Sequence, residues 1–366
     1  LNHERILVFR AGHLGDNLIA LPAFWALREA FPGSHISYLS NADDENNPHY
    51  VTARGIFPET GLFDSWISYP NLDGVAGTYR LLKLALTLRR RKFDTVVYMT
   101  TRTRTTRQID RDKTFFRLVG IPNVLGADYM RRHSLSEAIR GPMHEVQAEG
   151  DFLVQLLQDE GLTARHAEFT ADLRLTPLER EAAASWLRAE ISERGGRPLI
   201  GVAPGSKWDS KIWDEERFSD VVQRLILTHD VIPIIFGGSE DREKGMRLLD
   251  RWKIGGNAAG ELSVRQAAAA LESCALYLGN DTGTMHLAAS SGTPCVAIFA
   301  ALDLIGRWYP FGSDNEIFRR SVECEGCYSP TCFNNHKCLD LIRADEVYAA
   351  CVRVLDRRKI ISGTDL

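Results

Sequence analysis

The sequence predicts an α/β protein of two Rossmann-like domains, each a parallel sheet with helices on both faces. Three observations predict it. Short apolar runs alternate with longer helical patterns along nearly the whole chain. Several of those runs end in polar, glycine-rich turns that open a helix, and in a parallel sheet such turns lie at the carboxyl edge where ligands bind. At 366 residues the chain is also long enough for two domains that each bury a core. Their expected extents are 1–170 and 171–343, facing each other across a cleft, with a final helical segment, 344–366, packing back across both.

In order along the chain, residues 5–10 (RILVFR) read as a short buried strand. It runs into Ala11-Gly12-His13-Leu14-Gly15-Asp16, and a helix pattern follows with Leu18, Leu21, Ala23, Phe24, Leu27 and Ala30. The glycines are spaced Gly-x-x-Gly, so the dinucleotide fingerprint is not met, which argues against an NAD-dependent oxidoreductase. Further strands are expected over 36–39, 65–69 and 94–99, a leucine-rich helix over 75–91, and helices over 113–118 and 145–160. A polar interval at 163–172 is the candidate linker. The helix over 177–194 opens the second half with Pro177 in its first turn.

The second half repeats this logic without repeating the sequence. A strand over 199–203 ends in PGSKWDSKIW, a helix spans 215–227, and a strand over 231–236 ends in Gly237-Gly238-Ser239-Glu240-Asp241. After a helix over 263–272 comes the most informative stretch, 275–300, ALYLGNDTGTMHLAASSGTPCVAIFA. It reads as strand, polar glycine turn, helix, strand. The helix start offers free N–H groups and a positive dipole end to an anion. Asp281 and Thr282 could simply cap that helix. Capping does not account for His286 one turn inside it.

Composition is that of a globular protein, with 44% hydrophobic and 25% charged residues. The longest apolar run, 295–302, falls far short of the roughly 18 residues of a membrane span, and the amino-terminal residues lack a signal peptide's order of regions. The cytoplasm is therefore expected. Net charge is −4, yet residues 89–132 hold twelve Lys or Arg against four Asp, so the rest carries −12. This asymmetry suggests an anionic partner. A solvated helix face would explain Arg89 to Lys92 alone, but not TTRTRTTR at 100–107, read as a loop.

Three loops of the second half would meet at one sheet edge: 205–211, 237–241 and 280–286. Gly205 and Ser206 supply close backbone approach and a hydroxyl. Lys211 is a point charge suited to phosphate, Thr282 and Gly283 offer N–H donors, and Glu240 stands where a carboxylate can take ribose hydroxyls. Together they describe a pocket for a nucleotide diphosphate.

The combination of LGD after the first strand, PGSKWDSKIW, and GNDTGTMHLAASSGTP resembles glycosyltransferase family 9, the bacterial ADP-heptose:lipopolysaccharide heptosyltransferases. The likeness runs in order over nearly the whole chain, and NDTG-x-x-H is its most specific part. It implies a GT-B fold, a donor sugar nucleotide held mainly by the carboxyl-terminal domain, and inverting transfer with no cofactor needed for catalysis. Carried onto this chain, it puts Asp16 as general base, Lys211 on the donor phosphates and Glu240 on the ribose, with Asp281, Thr282, Gly283 and His286 around the diphosphate and sugar. Asp16 could instead be a helix cap, and His286 a packed helical histidine. Thr284 stands where the family often has proline, and Ala300 where it often has glycine; these departures bear on donor identity.

The resemblance further implies an acidic glycan or lipid-linked acceptor, with Arg102, Arg104, Arg107 and His13 as candidate contacts and no nucleic acid. A peripheral contact with the cytoplasmic face of the inner membrane would suit such an acceptor. Cys324, Cys327, Cys332 and Cys338 are spaced tightly enough for a tetrahedral thiolate site for structural zinc or iron. Four reduced thiols in a compact loop are the equal alternative. Another sugar nucleotide, a different acceptor, or a sugar-nucleotide epimerase of the same architecture are the other functions considered.

Overall fold

The computed structural model describes residues 3–41, 51, 53–58, 60–69, 74–163, 171–191 and 194–363. The chain divides into two units, Leu1–Pro142 with Gln147–Asp172, and Met143–Val146 with Leu173–Leu366. Most of the expected linker, 164–170, lies outside the described residues.

The first unit runs β1 (Arg5–Phe9), α1 (Leu14–Leu18), α2 (Leu21–Ala30), β2 (His35–Asn41), α3 (Ala53–Ile56), β3 (Ser65–Tyr69), α4 (Gly74–Arg91), β4 (Thr95–Tyr98), α5 (Thr106–Leu118), β5 (Asn123–Leu125), α6 (Ala127–Arg132) and α7 (Glu149–Asp159). Its sheet has the order β3-β2-β1-β4-β5, and every pairing is parallel. Ile6, Leu7 and Val8 of the central strand are buried, which is why that strand reads as a continuous apolar run rather than an alternating one. The single helix expected after the first glycine turn is two. Pro22 lies in the first turn of α2, where its missing N–H costs no intrahelical bond. Helix α5 begins earlier than expected because Thr105 and Gln108 exchange side-chain and backbone bonds as a capping box. That moves Arg107 from a loop onto a helix.

The second unit runs α8 (Pro177–Glu190), β6 (Leu199–Ala203), α9 (Glu215–His229), β7 (Ile232–Ile235), α10 (Arg242–Trp252), β8 (Gly256–Asn257), α11 (Val264–Glu272), β9 (Cys274–Asn280), α12 (Gly283–Ser290), β10 (Cys295–Phe299), β11 (Glu316–Arg319), α13 (Lys337–Asp340) and α14 (Ala344–Gly363). The sheet order is β11-β10-β9-β6-β7-β8, again wholly parallel. Strands β6 to β8 step one way from the centre and β9 to β11 the other. The crevice between the carboxyl ends of β6 and β9 is therefore the topological switch point, where ligands bind in such sheets. The edge strands β8 and β11 were not anticipated, since two and four residues are too few for a periodic signal. Helix α14 puts Val347, Ala350, Cys351, Val354 and Leu355 into one core with Val221, Val222 and Leu225 of α9. These residues belong to the core of the second unit. Among the described residues no helix is long and apolar enough to cross a membrane.

Candidate active site

Three loops meet at the switch point of the second sheet. Asn280, the last residue of β9, is fully buried, and its Nδ2 donates to the carbonyls of Pro204 (3.1 Å) and Gly205 (3.3 Å). Its Oδ1 accepts the Trp213 N–H at 3.1 Å, so one amide joins both ends of the loop after β6 to the loop after β9. The third loop is drawn in by Asp241. Its carboxylate accepts the Gly238 N–H at 3.1 Å and lies against Gly205 and Gly237 so closely that a Cβ on either would collide with it. Neither Asn280 nor Asp241 was singled out from the sequence, because their work is to fasten loops rather than to face a ligand.

Within this frame Lys211 Nζ stands 2.6 Å from Asp281 Oδ2, with the two side chains 19% and 9% exposed. The Lys211 ammonium also lies 5.6 Å from the centre of the Trp208 ring. Thr282 is the N-cap residue of α12, but its side chain makes no capping bond, and its buried Oγ1 has no hydrogen-bond partner among the described residues. The capping alternative therefore fails for Thr282. Ser206 Oγ accepts the Trp208 N–H at 3.2 Å, and Glu240 is exposed beside Gly238.

His286 is buried and meets the Trp308 ring edge-on at 6.4 Å. Trp308 is fixed in turn by Asp303, whose Oδ2 accepts the indole N–H at 2.7 Å and an Arg307 N–H at 3.1 Å. Tyr328 donates its hydroxyl to the same carboxylate. Burial and the Asp303 charge push the Tyr328 hydroxyl well above its ordinary pKa, so it remains a proton donor. This network follows β10 directly. Only the order of residues after a strand end could have drawn attention to it.

In the first unit, Gly12 has φ +155° and a Cβ there would overlap Asp16. Asp16 is the third residue of α1, with His13 as the N-cap, and its Oδ2 accepts the His13 N–H at 2.8 Å. Among the described residues its Oδ1 makes no hydrogen bond. Buried Arg10 holds the turn from beneath by donating to the carbonyls of Asp16 (2.8 Å) and Met99 (2.7 Å). Asn17 Nδ2 adds a 2.7 Å bond to the His13 carbonyl. The turn is a rigid carrier for one carboxylate.

The three arginines of TTRTRTTR have different surroundings. Arg102 is 4% exposed, with Nε 3.0 Å from Glu149 Oε2 and Nη2 2.5 Å from the Gln147 carbonyl. Arg104 pairs with Asp112 at 2.6 Å, and Arg107 is exposed on the first turn of α5.

The description of glycosyltransferase family 9 (heptosyltransferase) matches residues 81–338. The chain belongs to this family. Family 9 likeness extends to lipopolysaccharide heptosyltransferase 2 of Salmonella typhimurium, 28% identical over 40% of this chain and 44% of that protein. Lipopolysaccharide heptosyltransferase 3 of Escherichia coli is 23% identical over 93% of this chain and 96% of that one. The matched stretch spans about half the length, or less, of the heptosyltransferase 2 relatives. Among solved structures, a family 9 glycosyl transferase from Veillonella parvula has a TM-score of 0.72 at 20% identity over 98% of both chains. The E. coli ADP-heptose lps heptosyltransferase II has a TM-score of 0.67 at 18% identity over 97% of this chain and 99% of that one. These structures share the fold, α/β with two parallel sheets as in GT-B heptosyltransferases.

Among the described residues no three His, Cys, Asp or Glu side chains are arranged to hold an ion. Three of the four clustered sulfurs, those of Cys324, Cys332 and Cys338, accept N–H bonds. Cys324 takes one from Asn334 Nδ2 at 3.3 Å, Cys332 from the His336 backbone at 3.1 Å and Cys338 from the Ala301 backbone at 3.4 Å. Burial raises the Cys338 thiol above its ordinary pKa.

Proposed function

We propose that the chain is an inverting, metal-independent glycosyltransferase that moves heptose from ADP-heptose to a hydroxyl of an acidic, lipopolysaccharide-type acceptor. The observation that carries this reading is the meeting of Lys211, Asp281 and the N-terminus of α12 at the switch point of the second sheet. A paired cation beside free helix N–H groups suits a diphosphate leaving group. Membership of family 9 and relatives named lipopolysaccharide heptosyltransferases support the donor and acceptor classes.

The acceptor oxygen attacks the anomeric carbon as the bond from that carbon to the diphosphate oxygen breaks. The bonding pair leaves with the diphosphate, and the acceptor proton passes to Asp16. Lys211 and the N–H groups at Thr282 and Gly283 offset the charge growing on the diphosphate, while Asp281 orients Lys211. Gly205 and Ser206 border the phosphates, Glu240 takes the ribose, and His286, set against Trp308, faces the sugar. Arg104, Arg107 and His13 meet the acidic acceptor; Arg102 is left out because Glu149 and Gln147 hold it. A lipid-linked acceptor would bring the reaction to the cytoplasmic face of the inner membrane.

The test is nucleoside-diphosphate release from a panel of sugar nucleotides, with and without acceptor. ADP should be released from ADP-heptose only when acceptor is present. Asp16→Asn should lower kcat about 10²- to 10⁴-fold and leave ADP affinity unchanged. Turnover of another donor would overturn the donor assignment, and sugar isomerisation without acceptor would favour an epimerase. An Asp16→Asn enzyme of normal kcat would remove the base.

A further inference from the structure

Helix α4 (Gly74–Arg91, GVAGTYRLLKLALTLRRR) contains five Lys or Arg and no acidic residue. Leu84 and Leu88 are buried, as an amphipathic helix on a sheet requires. The outward face is also apolar. Tyr79 is 72% exposed, Leu82 58% and Leu86 47%. At about 100° per residue these three fall within an arc of about 60°. Arg89 flanks the arc on one side, and Lys83 and Arg90 flank it on the other. Among the described residues none of these three cations has an ion-pair partner. The sequence alone would allow a solvated helix face here, but such a face does not hold an aromatic and two leucines at its centre.

We infer that α4 is a docking helix for an anionic lipid surface, with Tyr79, Leu82 and Leu86 entering the interface and Lys83, Arg89 and Arg90 engaging lipid phosphates. The arrangement matches the chemistry of a bilayer boundary, which takes an apolar stripe and a cationic rim together. A nucleic acid would satisfy the cations and leave the stripe in water. A second copy of the chain would bring five cations against five like charges across the same stripe. The proposal concerns the first unit alone and does not depend on the donor chemistry, so it stands or falls separately from the transferase assignment.

The experiment is flotation of the full chain with vesicles of phosphatidylcholine, alone or mixed with phosphatidylglycerol, over a range of salt. Binding is expected only to the mixed vesicles, weakening as salt rises. Each basic residue near an anionic surface contributes about five-fold, so the triple change Lys83→Gln, Arg89→Gln, Arg90→Gln should lower partitioning about a hundred-fold. Leu82→Glu with Leu86→Glu should abolish it. Both variants should keep the parent's melting temperature and ADP affinity, which separates lost docking from lost folding. The inference is overturned if the parent ignores anionic vesicles, binds neutral ones equally, or if both variants partition like the parent. It is overturned equally if a homopolymer RNA displaces the chain from vesicles through α4, or if sedimentation shows a dimer that the leucine variant alone dissociates.

Discussion

Ser210, the residue before Lys211, donates its hydroxyl to the Ser329 carbonyl at 2.6 Å and its N–H to the Pro330 carbonyl at 3.1 Å. Asp209 extends the same seam: its carboxylate accepts the Cys332 N–H at 3.3 Å, and its carbonyl lies 3.0 Å from His336 Nε2. The far side of the cysteine loop is tied to the segment after β10, where Gly326 and Tyr328 donate to the carbonyls of Ala301 (2.7 Å) and Leu302 (3.2 Å). The loop thus clasps the Lys211 turn to the segment leading to Asp303. This gives the clustered cysteines a structural setting that requires no metal.

Ser210→Ala tests the clasp. Ser210 is 4% exposed, so removing its hydroxyl leaves the Ser329 carbonyl without a buried partner, at a cost of about 1–3 kcal/mol. The loosened turn should weaken ADP binding about ten-fold, whereas adenosine, which lacks the phosphates, should bind as before. Calorimetric titration of both ligands reads the difference. Equal losses for the two would indicate general loosening of the unit rather than displacement of Lys211.

The buried pair of Arg102 and Glu149 gives a stability prediction. Glu149 is fully buried at the start of α7, and the Arg102 guanidinium lies 4.4 Å from the centre of the Phe152 ring. Glu149→Ala strands a guanidinium without its counter-charge, which costs about 3–5 kcal/mol. In a unit of this size that should lower the first melting transition by about 10 °C. Changing both residues together, Arg102→Met with Glu149→Leu, should recover most of the loss, because no charge then remains buried. A double variant as unstable as Glu149→Ala would place the cost in packing instead.

Much of this architecture was legible because buried parallel strands read as apolar runs and their glycine turns mark the carboxyl edge. Lys211 and Asp281 could be placed at one edge for that reason. The partners of Arg102 and Arg104 were not legible. Glu149 lies 47 residues from Arg102, and Asp112 sits on the next helix from Arg104, so TTRTRTTR looked like one basic surface when it supplies one buried, one half-buried and one exposed arginine. Cysteine spacing left a metal site and four reduced thiols open, and it could not report the N–H bonds that three of the sulfurs accept.

Glu316 supplies a pH dependence with a definite sign. It lies on edge strand β11 and bridges two arginines one turn apart on α14, with Oε2 2.8 Å from Arg353 Nη2 and Oε1 3.2 Å from Arg357 Nη1. The Arg353 hydrogen bond is the largest influence. It outweighs partial burial, which pushes the other way, and the charges of Arg353 and Arg357 add to it, so the carboxyl pKa falls below the ordinary glutamate value. A carboxylate whose pKa is lowered by folding contributes stability that is complete above the unfolded-state value of about 4.3. That contribution is lost as pH falls through the lower folded-state value, when the folded protein must take up the proton. Glu316→Gln should therefore cost about 0.5–1 kcal/mol at neutral pH, the scale of a largely solvated pair. Parallel urea titrations of parent and variant should show the gap closing as pH drops below about 4. A gap that stayed constant into acid would mean the pair holds α14 by shape and hydrogen bonding rather than by charge.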